Sequence, residues 1–80
     1  MPTILRINGY RFYFYSHEPN EPPHVHVDRG DASLKAWLTP VALARNLGYR
    51  AHELNVILTL VREHRVTLVE AWHEHFGDSR

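Results

Sequence analysis

Eighty residues make one domain, and a core that small supplies little net stability without further support. The chain has no cysteine, which excludes disulfides and thiolate metal sites and leaves His, Asp or Glu ligands or self-association. Nine basic and nine acidic side chains cancel, so net charge does not mark a strongly basic nucleic-acid module, and any such function must rest on a local patch. Seven histidines are the compositional oddity. With ordinary titration they make the chain clearly cationic near pH ~5.5. No apolar run approaches the roughly 18 residues that span a membrane. The N-terminus lacks the charged and apolar regions of a secretory signal, so a cytoplasmic location away from membranes is the expectation.

Residues 3–16 read as a β-hairpin around Asn8-Gly9, the preferred pair for a type I′ turn. That turn sets Ile7 opposite Tyr10, Leu5 opposite Phe12 and Thr3 opposite Phe14 on a core face. Alternation sends Ile4, Arg6, Arg11, Tyr13 and Tyr15 to the other face. His17 to Pro23 (HEPNEPP) is a loop, because prolines cannot donate to a ladder. His24 to Asp28 is a third strand, Arg29-Gly30-Asp31 a turn, and Ala32 to Leu38 a fourth strand. Thr39-Pro40 has the form of an N-cap followed by proline in the first helical turn, which predicts a short helix through Leu47 ended by Gly48.

From Ala51 to Phe76 the residues Leu54, Ile57, Leu58, Val61, Leu68, Trp72 and Phe76 recur at helical spacing. The spacing predicts one long helix, with a break or kink near Val66-Thr67, where Thr67 and Glu70 have capping-box spacing. Arg65 falls on the apolar stripe and needs an acidic or carbonyl partner. The expected fold is α+β: a four-stranded antiparallel sheet of two hairpins, then two helices packed on one face, the last one long.

Several segments together resemble domain-of-unknown-function family 4160. They are Pro2-Thr3-Ile4, Phe12-Tyr13-Phe14-Tyr15-Ser16, the central Glu21-Pro22-Pro23-His24-Val25-His26-Val27, Leu38-x-Pro40, Glu53-Leu54 and Glu70-Ala71-Trp72-His73. The resemblance covers nearly the whole chain. It implies a small prokaryotic protein encoded beside another small domain, in a two-gene arrangement like a toxin–antitoxin pair, and hence a partner. It implies no established reaction. Arg50 departs from the helix-capping serine of related sequences.

Alternation in the third strand sets His24, His26 and Asp28 on the face opposite Val25 and Val27. With Ser33, Lys35 and Trp37 outward on the fourth strand, the outer face collects Arg6, Arg11, Tyr13, Tyr15, His24, His26, Lys35 and Trp37. Basic side chains bind phosphate and aromatic rings stack on bases, so this set reads as an RNA- or phosphate-binding face. His24 and His26 could also act as catalytic acid and base in a metal-free ribonuclease. A third reading is a divalent transition metal held by His24 and His26, with His17 or Asp28 as a further ligand, in a hydrolase. A solvated or oligomeric sheet face of good strand formers accounts for the same residues.

His73 and His75 lie two apart on a helix and point in different directions. Glu70-x-x-His73 lacks the second copy that a di-iron site needs. These read as solvated helix residues, with His75 and His64 flanking the apolar stripe and partly buried. A helix-turn-helix is the remaining alternative, from Ala44-x-x-x-Gly48-x-x-x-x-x-Leu54, with a thin basic surface of Arg50, His52, Glu53 and Asn55. The sequence therefore favours a partner-binding protein, as a homo-oligomer or with a small neighbour-encoded protein. It leaves an enzyme open.

Overall fold

A computed structural model describes residues 3–15 and 20–77. Five strands, β1 (Thr3–Ile7), β2 (Tyr10–Tyr13), β3 (His24–Arg29), β4 (Ala32–Leu38) and β5 (Val41–Leu47), precede α1 (Ala51–Glu63) and α2 (Arg65–Phe76). The strands form one antiparallel meander in the order β1-β2-β3-β4-β5. The α+β class holds, with one strand more than the sequence predicts. Among the described residues no helix is long and apolar enough to cross a membrane.

The first hairpin turns where expected. Asn8 and Gly9 both have positive φ, 53° and 85°, as a type I′ turn requires. Ile7 pairs with Tyr10 and Leu5 with Phe12, but an irregularity between Thr3 and Leu5 sets Thr3 opposite Tyr13 instead of Phe14. The inner face gathers Phe12, Val25, Val27, Leu34, Ala36 and Leu38, and the helices bury Ile57, Val61, Leu68 and Trp72 against it. Leu5 and Ile7 are half-buried at its margin. Phe14, just past β2, joins the same core.

The short helix expected after Thr39-Pro40 is a strand. Thr39 and Pro40 form the β4–β5 turn, and β5 lies antiparallel to β4 with Val41 opposite Leu38, Ala42 opposite Trp37 and Leu43 opposite Ala36. The physical reason is the open edge of β4: pairing satisfies a full row of its backbone donors and acceptors, which a detached helix would leave bare. The correction also removes the first helix of the helix-turn-helix reading, because residues 41–47 are extended. Gly48 ends a strand rather than a helix. Its φ of 102° disfavours any side chain, and an added Cβ would lie 3.4 Å from Ala32.

The crossing from sheet to helices is clasped. Asn46 Nδ2 donates to the Tyr49 carbonyl at 3.0 Å, and the Tyr49 amide donates back to Asn46 Oδ1 at 3.1 Å. The Tyr49 hydroxyl crosses the core to donate to the Val27 carbonyl at 3.0 Å. Burial, followed by the Asp28 charge, pushes the Tyr49 phenol up to about 12.

The long helical pattern is two helices of similar length, broken at His64 rather than at Val66-Thr67. There Nδ1 of His64 lies 3.0 Å from the Leu60 carbonyl, closing the end of α1. Arg50 precedes α1 with no side-chain cap. Arg65 finds the carbonyl partner its position demands, with Nε donating to Leu38 O at 2.8 Å. This bond ties the start of α2 to the end of β4.

Candidate functional site

The pairing register sorts the outer face into transverse rows. One row runs Arg6, Arg11, Asp28, Ser33 and Leu47 across the five strands. The next runs Thr3, Tyr13, His26, Lys35 and Arg45. The third sets His24 beside Trp37 and Ala42. Directly opposite residues on one face sit within side-chain reach, so each row is a contact series. The structure thus brings the basic, aromatic and histidine side chains foreseen on this face together, with Tyr15 over His26 at a ring separation of 4.3 Å, whereas Ile4, also foreseen here, packs against the core beside the β1 irregularity.

They are less open than foreseen. His24 has no exposed surface and His26 only 7%, against the expectation of an open histidine pair. Facing away from the sheet is not facing solvent, because rings from other segments cover both. The His24 ring lies 4.8 Å from Trp72 of α2, 5.7 Å from Trp37 and 5.2 Å from His26. Its Nδ1 is 2.9 Å from the Pro22 carbonyl. A carbonyl only accepts, so Nδ1 donates. Glu21 Oε1 is 3.8 Å from the same nitrogen.

Tyr13 is also buried rather than presented. Its ring stacks on His26 at 5.4 Å and lies under the Arg11 guanidinium at 4.5 Å. Its hydroxyl donates to Asp28, 3.0 Å from both carboxylate oxygens. Burial first, then the hydrogen bonds with Tyr15 and Asp28, raises this phenol well above its ordinary range and keeps it protonated. Asp28 is thereby committed to Tyr13. Among the described residues no group of three His, Asp or Glu side chains is placed to hold a metal ion. His17, the other foreseen ligand, lies outside those residues.

What opens to solvent is a cleft of about 130 Å³ lined by Tyr15, His26, Ser33, Lys35, Arg45 and Leu47, with Leu34 beneath. Lys35 Nζ is shared by the Glu21 carboxylate and the Trp37 ring, 4.8 Å away. Arg45 is exposed and takes part in none of the ion pairs among the described residues. Of the two histidines, only His26 reaches this cleft. Ser33 lies outward as the sequence predicts, while Arg45, Leu47 and Glu21 are the positions at this site that sequence reasoning missed. The first two were placed in a helix, and Glu21 in a loop. Reading Thr39-Pro40 as a tight turn would have recovered the strand but set Ala44 opposite Lys35; the irregularity between Lys35 and Ala36 is what brings Arg45 there.

The fold and site define a small meander sheet, backed by two helices, with a cationic and aromatic cleft on its uncovered face. The chain belongs to the domain of unknown function family DUF4160, whose profile matches residues 9–73. No curated protein and no solved structure matches it significantly.

Proposed function

We propose that the protein binds a phosphate group of RNA in the outer-face cleft. The observation that supports this is the row His26–Lys35–Arg45, three polar nitrogen-bearing side chains on adjacent strands converging on one concavity. A phosphate oxygen takes hydrogen bonds from such donors, and the planar guanidinium of Arg45 engages two of its oxygens at once. Glu21 competes for Lys35, so the carboxylate must yield part of that contact to the phosphate.

An RNA-binding titration tests the site. Arg45→Ala is expected to weaken binding about tenfold, since a charge-assisted hydrogen bond contributes roughly 1.5 kcal/mol or more. Glu21→Gln is expected to strengthen it by roughly threefold, the worth of releasing one exposed ion pair. Unchanged affinity in Arg45→Ala would remove the cleft from consideration.

A protein partner is the second reading, and β5 supports it. This edge strand leaves Leu43 38% and Leu47 56% exposed and contains a single charge, Arg45. Unpaired edges template pairing with another chain. The toxin–antitoxin-like pair implied by the family resemblance, or a second copy, would supply that chain. Sedimentation should show a dimer or a complex with the neighbour-encoded protein, weakened by Leu43→Lys. A monomer at high concentration, alone and with that protein, would defeat it.

A further inference from the structure

We infer that the ligand of this cleft is an unstacked nucleotide of a single strand, held as one unit with its base on Tyr15 and its phosphate on Arg45. The inference rests on the phosphate-binding reading and adds to it the strandedness and the footprint.

Three observations point the same way. Tyr15 is the exposed aromatic at the cleft, 40% open, while its neighbour Tyr13 is buried beneath it and Arg11. The Tyr15 ring packs on His26 at 4.3 Å in a tilted contact and meets Tyr13 edge to face at 5.6 Å. An aromatic platform of this kind takes a base whose face is free, and in a duplex both faces are covered by neighbouring pairs.

The second observation is charge. The cleft offers two cations, Lys35 and Arg45, and Glu21 already neutralises part of one. The chain as a whole has formal net charge +0. Duplex binders spread many phosphate contacts along a basic stripe, and the two cleft cations, with only Arg6 and Arg11 in the neighbouring row beside Asp28, fall short of that.

The third is size. A volume of about 130 Å³ is that of about four liquid waters, which accommodates one phosphate with part of its sugar. Leu47, half-exposed on the β5 side, gives that sugar an apolar wall.

The test is an anisotropy titration of the full chain with a short labelled single-stranded RNA, the same sequence as single-stranded DNA, and its duplex, each also competed with inorganic phosphate. The single strands should bind at least about tenfold tighter than the duplex. Tyr15→Ala should cost about tenfold on the single strands, and Tyr15→Phe should retain most of the affinity, because stacking needs the ring and not the hydroxyl. Competition by inorganic phosphate should be the same in Tyr15→Ala as in the parent protein. One phosphate held in the cleft predicts a slope of log affinity against log salt near about −0.7. Equal binding of duplex and single strand, a Tyr15→Ala protein of full affinity, or a slope steeper than about −3 would each overturn the inference while leaving the phosphate site in place. If phosphate fails to compete and Arg45→Ala is silent, the underlying phosphate reading falls instead.

Discussion

Trp72→Ala is expected to cost about 3–5 kcal/mol of folding stability, the usual penalty for emptying a large aromatic site in a core. A chain of eighty residues has roughly 4–12 kcal/mol in total at about 0.05–0.15 kcal/mol per residue, so the variant should lose a quarter or more of its stability and unfold outright at the low end of that range. The expectation follows from how α2 is docked. Leu68 and Trp72 are the fully buried side chains of that helix, with Val69, Ala71 and Phe76 packed at the margin, so Trp72 is its largest anchor. Trp72 also joins three elements, with Phe14 at 5.3 Å beyond β2, His24 at 4.8 Å on β3 and Phe76 at 4.2 Å on its own helix. Urea unfolding followed by circular dichroism reads the effect, and Trp72→Phe should recover much of it. A Trp72→Ala unfolding free energy lowered by less than about 1 kcal/mol would mean that α2 is held by something other than this ring.

The parts of the fold legible in the sequence are those in which side chains decide. Asn8-Gly9 dictated a turn, and Val25 and Val27 alternate with His24, His26 and Asp28, so the inner and outer faces of β3 followed directly. Strand β5 was illegible because an edge strand is held mainly by backbone bonds to β4 and buries little of its own side-chain surface. Its Ala42, Ala44, Arg45 and Leu47 are good helix formers, and Thr39-Pro40 has the same form whether it opens a helix or turns a hairpin. The helix break failed for a different reason: a capping-box spacing at Thr67 outweighed His64, whose ring reaches back to Leu60 O.

The candidate site divides in the same way. Register places residues on a face, and that was readable for His26, Lys35 and Trp37. Burial depends on rings arriving from distant segments, and nothing near His24 in sequence announces that Trp72 will cover it. Because β5 was assigned to a helix, Arg45 could not be set beside Lys35, and the cleft had no cationic wall.

Substitution of the two central histidines should separate fold from function. His24→Ala is expected to cost about 2–4 kcal/mol, from the cavity left among Trp37, Trp72 and His26 and from the Pro22 carbonyl losing its donor. His24→Asn, which can return a donor near the Nδ1 position, should recover part of that. His24 has no exposed surface, so the RNA affinity of the folded fraction should change by no more than about twofold. His26→Ala should do the reverse. That side chain lines the cleft and supports Tyr15, so its loss should lower RNA affinity by roughly threefold to tenfold, as expected for one contact and a loosened stacking ring. The stability cost of His26→Ala should be the smaller of the two, because no core ring of α2 packs on it. Urea midpoints and RNA titrations on the same preparations give both quantities. The two-histidine ribonuclease makes the opposite demand, since its acid and base must both reach substrate. Cleavage of RNA that is abolished by His24→Asn while stability and binding stay intact would establish that mechanism and sink the structural role assigned to His24.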